Sequence, residues 1–330
     1  NRGLSIDESM KTILQYDFPI QGDTQAKMRS GAFNHTHVIM DIDRGIYKEV
    51  NNKAEDLMTN KQKEIIQFPT PVSSFLGSDD PAPFEVLNPD GGSQMLLTCD
   101  HASRLVPQSL DQLGLPPEQF DRHIAYDIGA EALTRILSNT LDARAIFAGY
   151  SRLVIDVNRP PGHPQSVPLV SDGTEIPANQ NLHEDDLDRR ICALFDPYHE
   201  AIDNSMAHLW SRGPAPVLFS VHSFTPHFEN YQRPWDVGIL WKHDPRLPEP
   251  LMEKLEGRGF CVGNNEPYSA LEMAYTIDSH AGAAGLTNCV IEIRQDLVSD
   301  QAGVERWAEI LTEDLSDILK DTNLYEAREY

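Results

Sequence analysis

Cysteine is scarce: four occur in 330 residues, at positions 99, 192, 261 and 289, and no two form a C-x-x-C pair. That spacing excludes a ribbon-type structural zinc site and a thioredoxin motif. Single scattered thiols read as reduced. With no basic-then-apolar leader, they predict a cytoplasmic location. No apolar run reaches the ~18 residues that span a bilayer. Basic residues are also few: 27 Lys and Arg stand against 51 Asp and Glu, a formal net charge of −24. Such a field repels nucleic acid and anionic membranes, so neither is expected as a partner. An anion site in this chain must therefore be locally basic. The chain carries no G-x-S-x-G elbow, G-x-G-x-x-G loop, P-loop or H-E-x-x-H pair, which removes the simplest serine hydrolases, dinucleotide enzymes, NTPases and zincins.

What is present is enough apolar residue, 40%, to bury a large core. Residues 1–80 differ from the rest, with 9 basic and 12 acidic residues and one sustained helical pattern over 45–67. A Pro/Ser/Gly/Asp-rich stretch, 68–83, reads as a linker. The division expected is an appendage and linker, 1–80, and a catalytic domain, 81–330. From residue 84 on, strand and helix patterns alternate. Strands are predicted at Met95–Cys99, Arg144–Ala148, Leu153–Val157, Val217–Val221, Val237–Trp241 and Cys289–Ile293. Helices are predicted over Asp121–Asn139, His183–Trp210, Arg246–Glu256 and Val304–Leu319, with Pro197 dividing or kinking the second and Asp196 capping its continuation. Alternation of this kind implies a mostly parallel sheet covered on both faces, with ligands beyond the carboxyl ends of its strands.

His101, His222 and Glu292 fall at or near such strand ends. Two histidines and a carboxylate make a common catalytic zinc set that leaves one position open for water. A further carboxylate is then needed to carry a proton to the leaving group, and Glu292, in an apolar strand, is the best candidate. The segment 150–160, YSRLVIDVNRP, gathers Arg152, Arg159, Asp156 and Asn158. Arg294, two residues past Glu292, is expected on the same sheet face, and Arg233 follows in a loop. Arginine's planar fork suits carboxylates, so this cluster in an acidic chain points to a small acidic substrate.

Plainer readings stand beside these. His101 and His222 can be strand-end histidines satisfied by backbone, Asp127 a first-turn helix charge, and Glu292 a partner for Arg294. Arg152 and Arg159 can pair with Asp156 or Asp127. His123 reads as structural or supporting, His35 and His37 as a surface motif, and the acidic run at 184–188 as a solvated first helical turn.

The motifs CDHAS (99–103), HIAYDIGA (123–130), YSRLVIDVNRP (150–160), PYH (197–199), SVHSFTP (220–226), NEPYS (265–269) and VIEIRQDL (290–297) together resemble the N-formylglutamate amidohydrolase family over roughly 83–315. The resemblance implies a three-layer α/β/α fold with a mostly parallel mixed sheet, like that of zinc exopeptidases and muramoyl-alanine amidases. It implies hydrolysis of N-formyl-L-glutamate to L-glutamate and formate, the last step of one histidine-degradation route. It carries His101, Asp127 and His222 over as ligands of zinc or another divalent transition metal, and Glu292 as the catalytic residue. Glu131, one turn from Asp127, is the alternative acidic ligand. Arg152, Arg159, Arg294, Asn158 and His280 are the expected substrate-binding residues. Two other functions remain: a zinc amidase for a peptide or cell-wall fragment, and a non-catalytic binding module of the same fold.

Overall fold

The computed structural model describes residues 75–228, 231–271 and 274–330. The helical pattern over 45–67 and the His35/His37 pair lie outside them. Among the described residues the strands are β1 (Phe84–Leu87), β2 (Met95–Cys99), β3 (Arg144–Ala148), the hairpin β4 (Val170–Ser171) and β5 (Thr174–Glu175), β6 (Val217–Phe224), the hairpin β7 (His227–Phe228) and β8 (Tyr231–Gln232), β9 (Val237–Leu240), β10 (Val262–Asn264) and β11 (Asn288–Arg294). Seven form one sheet in the order β1-β3-β2-β6-β11-β9-β10. The inner four, β3, β2, β6 and β11, run parallel, while β1 and the β9–β10 pair run against them.

Strand periodicity sorts the side chains between two cores. Met95, Leu97, Cys99, Val217, Phe219, Val221, Cys289, Ile291 and Ile293 face one side. There they meet helices α1 (Ala130–Thr140), α4 (Pro248–Gly257) and α6 (Gln301–Ile318) through Leu133, Leu137, Leu251, Leu255, Trp307 and Leu311. Leu96, Leu218 and Val290 face the other side, with Tyr198, Ile202, Met206 and Leu209 of α3 (Asp196–Arg212) and Ile277 of α5 (Tyr275–His280). The result is the three-layer α/β/α arrangement with a mixed, mostly parallel sheet. On the second face the same alternation continues Leu96 into Thr98, Leu218 into Ser220 and His222, and Val290 into Glu292. That face is therefore apolar at its amino end and polar at its carboxyl end.

Three elements depart from the sequence pattern. Residues 153–157 are buried turns, not a strand: Leu153 O accepts from Asn179 Nδ2 (2.9 Å) and Val154 O from Arg190 Nη1 (2.8 Å). Their alternation serves burial in a core, with side chains rather than a neighbouring strand satisfying the backbone. The helix predicted from Asp121 begins at Ala130, because 121–129 form turns that bring Asp127 to the strand ends. The long helix is not divided at Pro197. Helix α2 (Glu184–Arg190) runs through a π-helical turn, Ile191–Phe195, into α3, and Asp196 is itself helical. Proline crowds the turn before it, and the widened turn takes up the misfit.

Residues 75–83 are tied to the body of the domain. Phe75 and Leu76 pack on the core, and Tyr150 donates its hydroxyl hydrogen to Pro81 O (2.6 Å).

Gly129 closes the turn that carries Asp127. Its φ is +81°, and a Cβ there would sit 2.2 Å from Val298 O. Gly129→Ala should lower stability by about 3 kcal/mol, combining a left-handed alanine with a backbone clash. Urea unfolding of the full chain measures this; a change within experimental error would mean that the turn relaxes freely.

Candidate active site

Four chain segments meet above the carboxyl ends of β2, β6 and β11. Strand β2 ends at Cys99 and delivers Asp100 and His101. The turn before α1 delivers Asp127, whose N–H donates to His101 O (2.9 Å). His222 lies on β6, and Glu292 is its register partner on β11. All five side chains are at least nine-tenths buried.

Asp127 is the meeting point. Its Oδ2 lies 3.3 Å from His101 Nδ1 and 2.9 Å from His222 Nδ1, and it also accepts from the Ser223 N–H at 3.3 Å. The far side of each ring is held by a second carboxylate: His101 Nε2 by Asp156 Oδ1 (2.8 Å) and His222 Nε2 by Asp100 Oδ2 (2.9 Å). Asp100 is fixed in turn by hydroxyls, accepting at Oδ1 from Tyr198 (2.7 Å) and Thr276 (3.0 Å), and at Oδ2 from Ser220 (3.1 Å). Asp156 accepts at Oδ2 from Arg152 (2.9 Å) and at Oδ1 from the Asn158 N–H (2.9 Å).

The electrostatics follow from this pairing. Burial opposes charge on His222, but the bonds to Asp100 and Asp127 outweigh it and raise its pKa well above the usual imidazole value. Burial and Arg152 oppose charge on His101, and Asp156 and Asp127 overcome them, again raising the pKa. Burial pushes the carboxylates toward the neutral acid, yet the histidines hold Asp127 far below its ordinary value and His222 helps hold Asp100 at about 2. Glu292 behaves in the opposite way. Burial pushes it up to about 7; His222 pulls it down and Asp127 pushes it further up. Its Oε2 is buried without a hydrogen-bond partner. A carboxyl poised near neutrality, in a cavity, is suited to taking and giving a proton.

Among the described residues, His101, Asp127 and His222 offer ligand atoms all within 4.8 Å of one another. Two imidazole nitrogens and one carboxylate oxygen, with each ring braced from behind by a carboxylate, fit a divalent transition metal such as zinc. Glu131 does not reach this point; it pairs with Arg135 (2.7 Å) on the exposed face of α1.

The cavity over these groups has a volume of about 340 Å³. Arg152, Asn158, Arg159, His123, Gln295, Tyr268 and Phe228 form much of its wall. Arg152 leans on Asp156 and Asp127, and Arg159 donates to Asn158 O (2.8 Å), leaving its buried Nε without a partner. Two residues expected here are elsewhere. Arg294 reaches sideways toward β9, where Asp236 (3.0 Å) and Trp235 O (3.0 Å) hold it together with Asp296 (2.7 Å). The strand ends at Arg294, so strand alternation stops there and Gln295 faces the cavity instead. His280 lies behind the cavity wall, bonded to His199 and Asp203.

The sequence pattern assigns no role to Asp100 as the brace behind His222, or to Gln295, Tyr268 and Phe228 in the wall. For Asp100 a signal existed: an acid next to a strand-end histidine, in a run otherwise buried, needs a partner. Arg233 is 5% exposed and lies over Phe224, Phe228 and Tyr268, within 4.7–5.6 Å of their ring centroids. It thus supports the aromatic side of the wall.

The fold and site define a hydrolase-type α/β domain with a His/Asp/His donor set at its strand ends. The N-formylglutamate amidohydrolase family model matches residues 93–299, and the chain belongs to that family. A solved gene product of Agrobacterium tumefaciens is 34% identical, with a TM-score of 0.73 over 74% of this chain and 98% of its own. The N-formylglutamate amidohydrolase of Ralstonia eutropha JMP134 is 19% identical, with a TM-score of 0.52 over 73% of this chain and 98% of its own, and shares the fold. A comparison with curated proteins gives no match. No helix of the described residues is long and apolar enough to cross a membrane.

With both imidazole pKa values raised, protons compete with a cation for the two rings. Apparent zinc affinity should therefore rise with pH and fall toward acid, with protons released as the ion binds. Calorimetry in buffers of different ionisation enthalpy counts them. Asp100→Asn should weaken zinc binding by roughly 10–100-fold by removing the brace behind His222; unchanged affinity would remove Asp100 from the site.

Proposed function

We propose that this chain hydrolyses the amide of N-formyl-L-glutamate, or of a similarly small N-acylated acidic amino acid, releasing formate and the free amino acid. One observation carries the reading: His101, Asp127 and His222 converge beside a buried Glu292 whose Oε2 has no hydrogen-bond partner, under a wall bearing Arg152 and Arg159. The family supports the reaction type.

His101 Nδ1, Asp127 and His222 Nδ1 would hold the metal, with Asp156 and Asp100 fixing the rings. Zinc in such a site supplies a Lewis acid and lowers the pKa of water to about 7. Glu292 takes a proton from the attacking water. The water oxygen bonds to the formyl carbon, the C–N bond breaks, and Glu292 returns the proton to the departing amine nitrogen. Arg152, Arg159 and Asn158 hold the substrate carboxylates; Arg294 and His280 have no part in that contact. A cavity of about 340 Å³ with two arginines in its wall suits a small anion better than a peptide or cell-wall strand. Retention of all four metal and catalytic candidates argues against a binding module without activity. Formate release of this kind fits the final step of histidine degradation, a cytoplasmic route.

Glu292→Gln should cut turnover by about 10²–10⁴-fold while zinc stays bound. Formate release from N-formyl-L-glutamate, measured beside N-formyl-aspartate and acetate release from N-acetyl-glutamate, tests both role and substrate. Near-normal turnover in the variant rejects the role of Glu292. An unmodified, zinc-loaded chain that cleaves none of the three rejects the function.

A further inference from the structure

Behind the cavity wall lies a second set of histidines that the reaction above does not use. His199 on α3 is 8% exposed and is enclosed by Phe195, Tyr198 and Tyr275, with ring centroids 4.2, 5.4 and 5.2 Å away. Its Nε2 lies 2.8 Å from Val157 O, and its Nδ1 lies 2.7 Å from His280 Nε2. His280 Nδ1 lies 2.5 Å from Asp203 Oδ1, a carboxylate on the exposed side of α3. The result is one line of contacts from the surface at Asp203 to the backbone of the wall.

Hydrogen-bond logic fixes where the protons sit. A carbonyl oxygen only accepts, so His199 Nε2 carries hydrogen and donates to Val157 O. The ionised Asp203 also only accepts, so His280 Nδ1 carries hydrogen. One hydrogen lies between the two rings. Burial, then the neighbouring His280, holds the His199 pKa down to about 4, so the hydrogen between the rings is donated by His280 Nε2 and accepted by His199 Nδ1. His280 thereby holds His199 in the Nε2–H tautomer. Without that donor, the proton of a neutral His199 can move to Nδ1, and a lone pair would then face the Val157 carbonyl.

The carbonyl so held belongs to the residue before Asn158 and Arg159. Asn158 Oδ1 accepts from Thr276 N (3.0 Å), and Thr276 sits on α5 with His280. Helix α5 therefore grips this segment twice: directly through Thr276, and through His280 and His199. Resting on the function proposed above, we infer that His280, acting through His199, is a positioning residue that sets the Val157–Asn158–Arg159 wall to receive the substrate's carboxylate.

The test uses the full chain with zinc. His280→Ala should raise KM for N-formyl-L-glutamate by about tenfold and weaken L-glutamate binding similarly, with kcat within about threefold of normal and zinc content unchanged. His280→Gln, whose amide can still donate to His199 Nδ1, should restore KM to within about threefold. The double variant His199→Ala/His280→Ala should be no worse than His199→Ala alone, as expected for residues acting in one line. Should His280→Ala fold poorly, Asp203→Asn at the surface should raise KM in the same direction. Long-range ¹H–¹⁵N spectra of the imidazoles should find His199 protonated on Nε2. A KM unmoved by His280→Ala, failure of Gln to rescue it, or a His199 protonated on Nδ1 overturns the inference. If the unmodified enzyme cleaves nothing, the functional reading fails, while the spectra still judge the tautomer on their own.

Discussion

A single carboxylate oxygen, Asp127 Oδ2, faces imidazole nitrogens from two different strands, and the rest of the site is arranged around keeping it there. Burying three aspartates and two histidines in one small volume, with a partly buried arginine against them, costs several kcal/mol per unpaired ion. It is tolerable because nearly every charged oxygen or nitrogen faces an opposite partner. Asp156 lies between His101 and Arg152, and Asp100 between His222 and three hydroxyls. Glu292 is the member left incompletely partnered, and its raised pKa follows from that position.

The sheet supplies the geometry. Side chains on one face alternate with those feeding the opposite core, so Thr98, Ser220, His222 and Glu292 emerge together only where the apolar layer beneath them ends. Helices α3 and α5 then close the far side. Tyr198 reaches Asp100, and the next residue, His199, reaches Val157 O; Thr276 contacts both Asp100 and Asn158. Two adjacent residues of one helix thus brace the His/Asp/His cluster and the Asn158–Arg159 wall of the same cavity.

Much of this was legible in the sequence where a periodic rule applied. The strand end at Cys99 is marked by an apolar run that stops at Asp100 and His101, and the positions of His222 and Glu292 by polar residues breaking apolar runs near the ends of β6 and β11; the motif resemblance added Asp127. The rule failed where its physical basis ended. Arg294 keeps the parity of Glu292, but it is the last residue of its strand, and nearby acids on the β9 side draw its guanidinium away. Leu153–Val157 alternates like a strand, although buried Asn179 and Arg190 take the place of a neighbouring strand. His280 lies near the site in space but one layer behind its surface, a distinction of depth that linear spacing does not encode.

The π-helical turn at Ile191–Phe195 has a consequence for how the site tolerates change. Each residue advances an α-helix by about 100°. The wide turn holds one residue more than an α-helical turn would, so it sets the rotational phase of everything after it, including Tyr198 and His199. Loss of one residue from that turn would preserve helix length to within a single rise, yet swing both side chains round the axis and away from Asp100 and Val157. The helix acts as a dial whose setting is stored a full turn upstream of the residues it aims.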